Sequence, residues 1–127
     1  MSARNDRDGS WLRQRAQSFA YAFSGCATLL REQPNARLHL LATLVVVALG
    51  YWCELSRADW QVLLLTVALV WLAEAMNTAL EYLADALHPG RHPLVGKAKD
   101  VAAAGVLLCA GFALVQAILI FGPYVAS

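Results

Sequence analysis

The chain has 127 residues, a length that fits one structural unit. Apolar residues make up 59% and charged residues 15%, with a mean hydropathy of +0.50, all unusual for a soluble domain. A net charge of +1 gives no electrostatic footprint for nucleic acid, and the three cysteines (Cys26, Cys53, Cys109) have no metal-binding spacing and read as small buried hydrophobes.

Residues 1–10 are polar and are expected to be a disordered tail; no secretory signal peptide is visible. Over residues 11–32, Leu12, Ala16, Phe19, Ala20, Phe23, Ala27 and Leu30 recur on one side of a helical period, and Arg13, Gln17, Tyr21, Ser24, Thr28 and Arg31 fall on the other. That pattern predicts an amphipathic helix, either lying on a membrane surface or packed against a protein partner. Pro34 and Asn35 end it, with Asn35 the expected cap of the next helix.

Three further helices are predicted at about 36–53, 60–87 and 94–121. Residues 38–53 carry no charge other than His39, and 60–73 and 101–127 carry none. The two shorter runs reach the ~20 residues of a membrane span if Arg37 snorkels and if the second helix continues past Glu74. Asp59 is the expected cap of that second span, Pro89 and Pro93 stop it, and Gly122-Pro123 ends the third. The fold class expected is therefore all-α integral membrane, with a soluble bundle around a buried central helix as the competing reading. Arginines before the first span, and Arg91, Lys97 and Lys99 between the second and third, place the amino terminus and the second loop in the cytoplasm by the positive-inside rule. Small residues along the third span, Ala102 to Gly105 and Ala110-Gly111 among them, favour close helix approach and oligomerisation.

The second span carries the chemistry. Glu74, Asn77, Thr78, Glu81 and Asp85 fall on one stripe, and Val70, Leu72, Ala79 and Leu83 are assigned to the opposite side. Ionisable groups at membrane depth are costly and normally face a partner, a cavity or an ion. Carboxylates crowded on one face call for a cation, and Mg²⁺ suits them because it takes carboxylate and phosphate oxygens together. Glu32, at the membrane interface, is either a partner to Glu81 in holding that metal or an ordinary ion-pair partner of Arg31 or Arg37. Gly96-Lys97-Ala98-Lys99-Asp100 opens the third span, where exposed amides and two lysines suit a phosphate and equally suit a positive-inside anchor. The spacing is not that of a P-loop.

The block Glu74-Ala-Met-Asn77-Thr-Ala-Leu-Glu81-Tyr-Leu-Ala-Asp85, followed by Lys99-Asp100, closely resembles the signature of the prokaryotic diacylglycerol kinase and undecaprenol kinase family. The resemblance runs from about Arg13 to Ile120. It implies a single membrane lipid-kinase domain over 11–127, a homotrimer with an amino-terminal surface helix on each subunit, and active sites shared between subunits. It further implies ATP as phosphoryl donor, Mg²⁺ as cofactor, a membrane lipid as substrate, and a bacterial inner-membrane location with the site on the cytoplasmic side. Carried over residue by residue, Glu74 matches the catalytic carboxylate, and Glu32 and Glu81 match the metal ligands that bridge to ATP. Tyr21, Gly90, Arg91, His92, Lys99 and Asp100 match nucleotide contacts, and Asn77 and Asp85 match supporting residues. Either Arg13 or Arg15 matches the family's arginine.

Ala102 and Ala103 stand where the diacylglycerol branch has Gly-Ser, whereas the Pro34-to-His39 segment and His92-Pro93-Leu94 look more like the undecaprenol branch. A proton-coupled multidrug-type transporter is the alternative reading of a membrane glutamate in an oligomer. Such a protein would have no use for Lys99-Asp100 beside the acidic stripe.

Overall fold

The computed structural model describes residues 3–127, with side chains from Gly9 onward, as four α-helices: α1 (Ala3–Glu32), α2 (Pro34–Trp52), α3 (Arg57–Leu87) and α4 (Pro93–Val125). The chain divides into two units, Met1–Pro34 and Asn35–Ser127. In the first unit, α1 reaches back to Ala3, into the stretch expected to be a tail, whose first two residues lie outside the described ones. An existing helix gains a hydrogen bond for each residue it adds, so extension is far cheaper than nucleation. Trp11, Leu12, Phe19 and Phe23 are exposed along this helix.

In the second unit, α3 and α4 run antiparallel. Asp59 meets Tyr124 at one end and Asp85 meets Lys99 at the other. Three of the helices, Pro34–Trp52, Arg57–Leu87 and Pro93–Val125, are long and apolar enough to cross a membrane, with mean hydropathies of 1.2, 1.7 and 2.4. At 1.5 Å per residue, even the 19 residues of α2 span roughly the ~30 Å hydrocarbon layer. Leu64, Leu65, Leu72, Leu107, Phe112 and Ile118 are all more than half exposed. Apolar surface on this scale, around helices whose backbones are satisfied internally, is suited to lipid as the solvent.

The helix ends differ from the sequence expectation in instructive ways. Proline, not Asn35, opens α2, because its missing N–H is one that the first turn leaves unpaired anyway. Ser56, not Asp59, caps α3: its Oγ accepts from the Asp59 backbone N–H and donates to Asp59 Oδ2 at 2.9 Å. Asp59 thus occupies the third helical position, reinforcing the cap from inside. Helix α4 continues through Pro123 to Val125, and its last turn is closed by the Ala126 N–H on the Gly122 carbonyl. His92 caps its start, with Pro93 following.

The α2–α3 turn is held on both sides. Glu54 adopts a left-handed φ of 53°, while the Glu54 and Leu55 N–H groups bond back to the Tyr51 and Gly50 carbonyls. This helix-ending motif normally favours glycine at the left-handed position. It turns Leu55 inward onto Leu63 and Ile120, with Trp60, Phe121 and Tyr124 packed around them. Tyr124 Oη donates to Asp59 Oδ2 at 2.6 Å and accepts from the Ser56 N–H, tying the end of α4 to the start of α3.

Gly50 is the one position in this region where a side chain is sterically excluded. A Cβ there would sit 2.6 Å from Trp60 Cη2, and the indole is flanked by Tyr51 with ring centroids 5.0 Å apart. Gly50→Ala is expected to destabilise the protein by about 1–3 kcal/mol, the usual range for overpacking. A lower midpoint of thermal unfolding in detergent checks this; an unchanged midpoint would mean that Trp60 swings aside freely.

Candidate active site

Helix α3 turns a single buried face toward its neighbours, made by Leu63, Val70, Glu74, Asn77 and Thr78. Val70 therefore shares the inward face with Glu74, contrary to its assignment to the far side. A separation of four residues is only about 40° around a helix. Leu72 and Leu83 do face outward. The acidic stripe is graded along the helix: Glu74 is 1% exposed, Asn77 8%, Glu81 half-buried, and the Asp85 side chain 64% exposed. Glu74 and Asp85 are separated by eleven residues, roughly 16 Å of helix.

At the deep end, His39 of α2 faces the Glu74 carboxylate, with Nε2 3.3 Å from Oε2. The two atoms are within ion-pair range but are not aligned as a hydrogen bond, and both lack any other partner. Asn77 Oδ1 and Thr78 Oγ1 are likewise buried without a hydrogen bond. Among the described residues, these four atoms make up the whole set of buried, unpartnered side-chain polar atoms. Each such group is costly inside a membrane, and three of the four belong to a single turn of the buried face of α3, Glu74 to Thr78. The His39 and Trp71 rings meet edge to face at a centroid distance of 6.3 Å. Trp71 Nε1 donates to Thr43 Oγ1, which donates in turn to the His39 carbonyl.

One step toward Asp85, Asn77 Nδ2 donates to Glu81 Oε1 across a long 3.4 Å. Asn35, His39, Asn77 and Glu81 line an open cavity of about 300 Å³ bounded by Ala103, Val106, Leu107 and Ala110 of α4. The small side chains of Ala103 and Ala110 leave this space beside the Glu81 carboxylate. At the exposed end, Lys99 Nζ meets Asp85 Oδ1 at 2.8 Å. These two residues share a concavity of about 570 Å³ with Gly90, Arg91 and His92 of the α3–α4 loop. Asp100 is exposed and lies outside that lining.

The remaining sequence candidates belong to the first unit. Tyr21 is exposed and its hydroxyl accepts from Gln17 Nε2 at 3.0 Å. The Arg15 guanidinium stacks over Trp11 at 5.7 Å, Arg13 is exposed, and Glu32 is exposed at the last residue of α1. His39 is the site residue that received no role from sequence. Its signal was visible: it is the sole ionisable side chain in an otherwise uncharged run.

For a metal, the fit lies with oxygen donors. Among the described residues no three His, Cys, Asp or Glu side chains converge as a cage. Mg²⁺ needs none, since it is commonly held by one or two carboxylates plus substrate phosphates. Glu81 suits that arrangement, half-buried beside an open cavity and only loosely engaged by Asn77.

Residues 20–121 match the family model described as prokaryotic diacylglycerol kinase. The chain belongs to this family. It is 33% identical to the undecaprenol kinase of Bacillus subtilis (strain 168) over 107 residues, covering 84% of this chain and 87% of that one. It is 37% identical to a diacylglycerol kinase of Synechocystis over 94 residues, 73% of this chain and 54% of that protein. It is 28% identical to the Escherichia coli (strain K12) diacylglycerol kinase over 88 residues, 69% of this chain and 72% of that enzyme. Membership in a lipid-kinase family, together with three helices suited to a bilayer, makes this a membrane protein and an enzyme.

Proposed function

We propose that the chain transfers the γ-phosphoryl group of ATP to the hydroxyl of a membrane lipid, either diacylglycerol or undecaprenol, giving the lipid phosphate. The observation that carries this reading is the graded stripe. A fully buried carboxylate, Glu74, sits at membrane depth, and a polar path leads from it to the half-buried Lys99 and the exposed Asp85. Lipid and nucleotide come from different phases, and the stripe joins them. Glu74 takes the position of the group that orients or deprotonates the lipid hydroxyl. As the hydroxyl oxygen bonds to the γ-phosphorus, the bridging bond to the β-phosphate breaks and ADP leaves. This chemistry asks chiefly for positioning and charge neutralisation.

Glu81 would hold Mg²⁺, which when bound neutralises charge on the phosphates, and Glu32 is the second metal ligand that the family resemblance implies. Lys99 faces the phosphates from the loop side, in company with Gly90, Arg91, His92 and Asp100, while Tyr21 and Arg13 or Arg15 contribute from α1. Asn77 and Asp85 hold Glu81 and Lys99 in place. In this reading α1 lies on the cytoplasmic surface of the inner membrane, and three copies of the chain assemble with shared sites. Kinase chemistry accounts for the whole stripe, whereas a transporter leaves its exposed end without a use.

The test is a radiolabelled-ATP assay of the purified protein, with diacylglycerol and undecaprenol offered in one detergent system. Mg²⁺-dependent labelling of one of them is the expected outcome, and the preferred lipid identifies the branch. Labelling of neither overturns the proposal.

A further inference from the structure

We infer that His39 is a positioning residue for the phosphoryl transfer, holding the Glu74 carboxylate in the orientation that meets the lipid hydroxyl. The inference rests on the kinase reading above and adds a residue to it. Glu74 sits on α3, and no side chain of its own helix fixes its outer oxygen; Oε2 points instead at His39 Nε2 of α2, 3.3 Å away. A carboxylate only accepts hydrogen bonds, so the ring nitrogen that faces it is the one suited to carry the proton. Both atoms are buried and have no other partner. Site hydrogen bonds are often long or poorly aligned until substrate binds, and this pair has that character.

The surroundings of the ring are aromatic and tied to its own backbone. Trp71 packs against it in a T-shaped arrangement, and Trp71 is itself anchored through Thr43 to the His39 carbonyl. His39 also marks a boundary. It lines the cavity that holds Asn77 and Glu81, and it lines a second, apolar cleft of about 230 Å³ walled by residues such as Val46, Val70, Ala113 and Ala117. An amphiphilic substrate needs its hydroxyl at such a junction. In the transfer itself the hydroxyl proton passes to Glu74, the oxygen's electron pair forms the new P–O bond, and ADP departs with the electrons of the old one. His39 exchanges no proton; its N–H keeps the accepting carboxylate from rotating away.

The test compares His39→Gln with His39→Leu in the purified full-length protein, using whichever lipid the wild type phosphorylates. Leucine keeps bulk and removes the donor, whereas glutamine retains an N–H. The Leu variant is expected to lose roughly 10- to 100-fold in kcat, the scale of a misplaced reacting group, with KM for MgATP little changed. The Gln variant should recover most of that loss. A residue that merely fills space would make both variants fall together. Equal kcat in the two variants, a Leu variant as fast as wild type, or a loss confined to KM for MgATP overturns the inference. A second measurement holds even if a His39 variant fails to fold. In ¹⁵N-histidine-labelled protein, the His39 ring resonances should shift on Glu74→Gln, and unchanged resonances reject the pairing. Wild-type protein inactive on both lipids rejects the kinase reading instead, whatever the resonances show.

Discussion

Glu74→Gln is expected to lower kcat for lipid phosphorylation by roughly 10²–10⁴-fold, the range contributed by a positioned acid–base group, while KM for MgATP stays close to wild type. Glutamine keeps the volume and can still face His39, so packing around Trp71 and Thr78 is preserved. What it removes is the ability to accept the hydroxyl proton. The separation of kcat from KM follows from depth, because Glu74 is 1% exposed and lies well down the helix from the Lys99–Asp85 end. Steady-state rates at saturating and limiting MgATP would measure both constants. A Glu74→Gln enzyme within about fivefold of wild type would remove Glu74 from any acid–base role, given the size such roles normally have. The substitution should also leave thermal unfolding in detergent unimpaired, since it takes an ionisable group out of a buried position.

The acidic stripe was legible because its physics is one-dimensional. An ionisable residue after a long uncharged run stands out, and helical periodicity places Asn77, Glu81 and Asp85 beside it without knowledge of any neighbour. The three long apolar helices were legible for the same reason. Finer features depended on local competition that composition does not resolve. Ser56 outcompeted Asp59 as cap because the two act as a reciprocal pair, and Pro34 rather than Asn35 opens α2. Helix α4 runs past Gly122 and through Pro123, where the tie between Tyr124 and Asp59 rewards one more turn. His39 stood out as the one acidic or basic residue of residues 38–53, but its role was not legible. It arises from a contact between two helices separated by a turn, and sequence spacing says nothing about which residues of α2 will face α3.

Glu81→Gln is the second substitution with a large expected effect, and its signature differs from that of Glu74→Gln. Loss of one preorganised electrostatic group at a reacting centre costs on the order of 10²–10³-fold, and with a metal ligand removed a fall of that size in kcat/KM for MgATP is expected here. Glu81 is half-buried, the Asn77 amide reaches it only across 3.4 Å, and the cavity beside it is open. Its charge is therefore well placed to meet a ligand. Since Mg²⁺ is held by few carboxylates and by phosphates, removal of one carboxylate should raise the Mg²⁺ concentration needed for half-maximal rate, and excess Mg²⁺ should restore part of the activity. Glu74→Gln should show no such rescue. Asp85→Asn provides the control on the same stripe: its exposed pairing with Lys99 is worth little by itself, so a smaller loss is expected there. A Mg²⁺ titration of the three variants in parallel distinguishes the two ends of the stripe. If Glu81→Gln titrates like wild type, or if Glu74→Gln is the variant rescued by Mg²⁺, the division into a lipid end and a metal end is wrong.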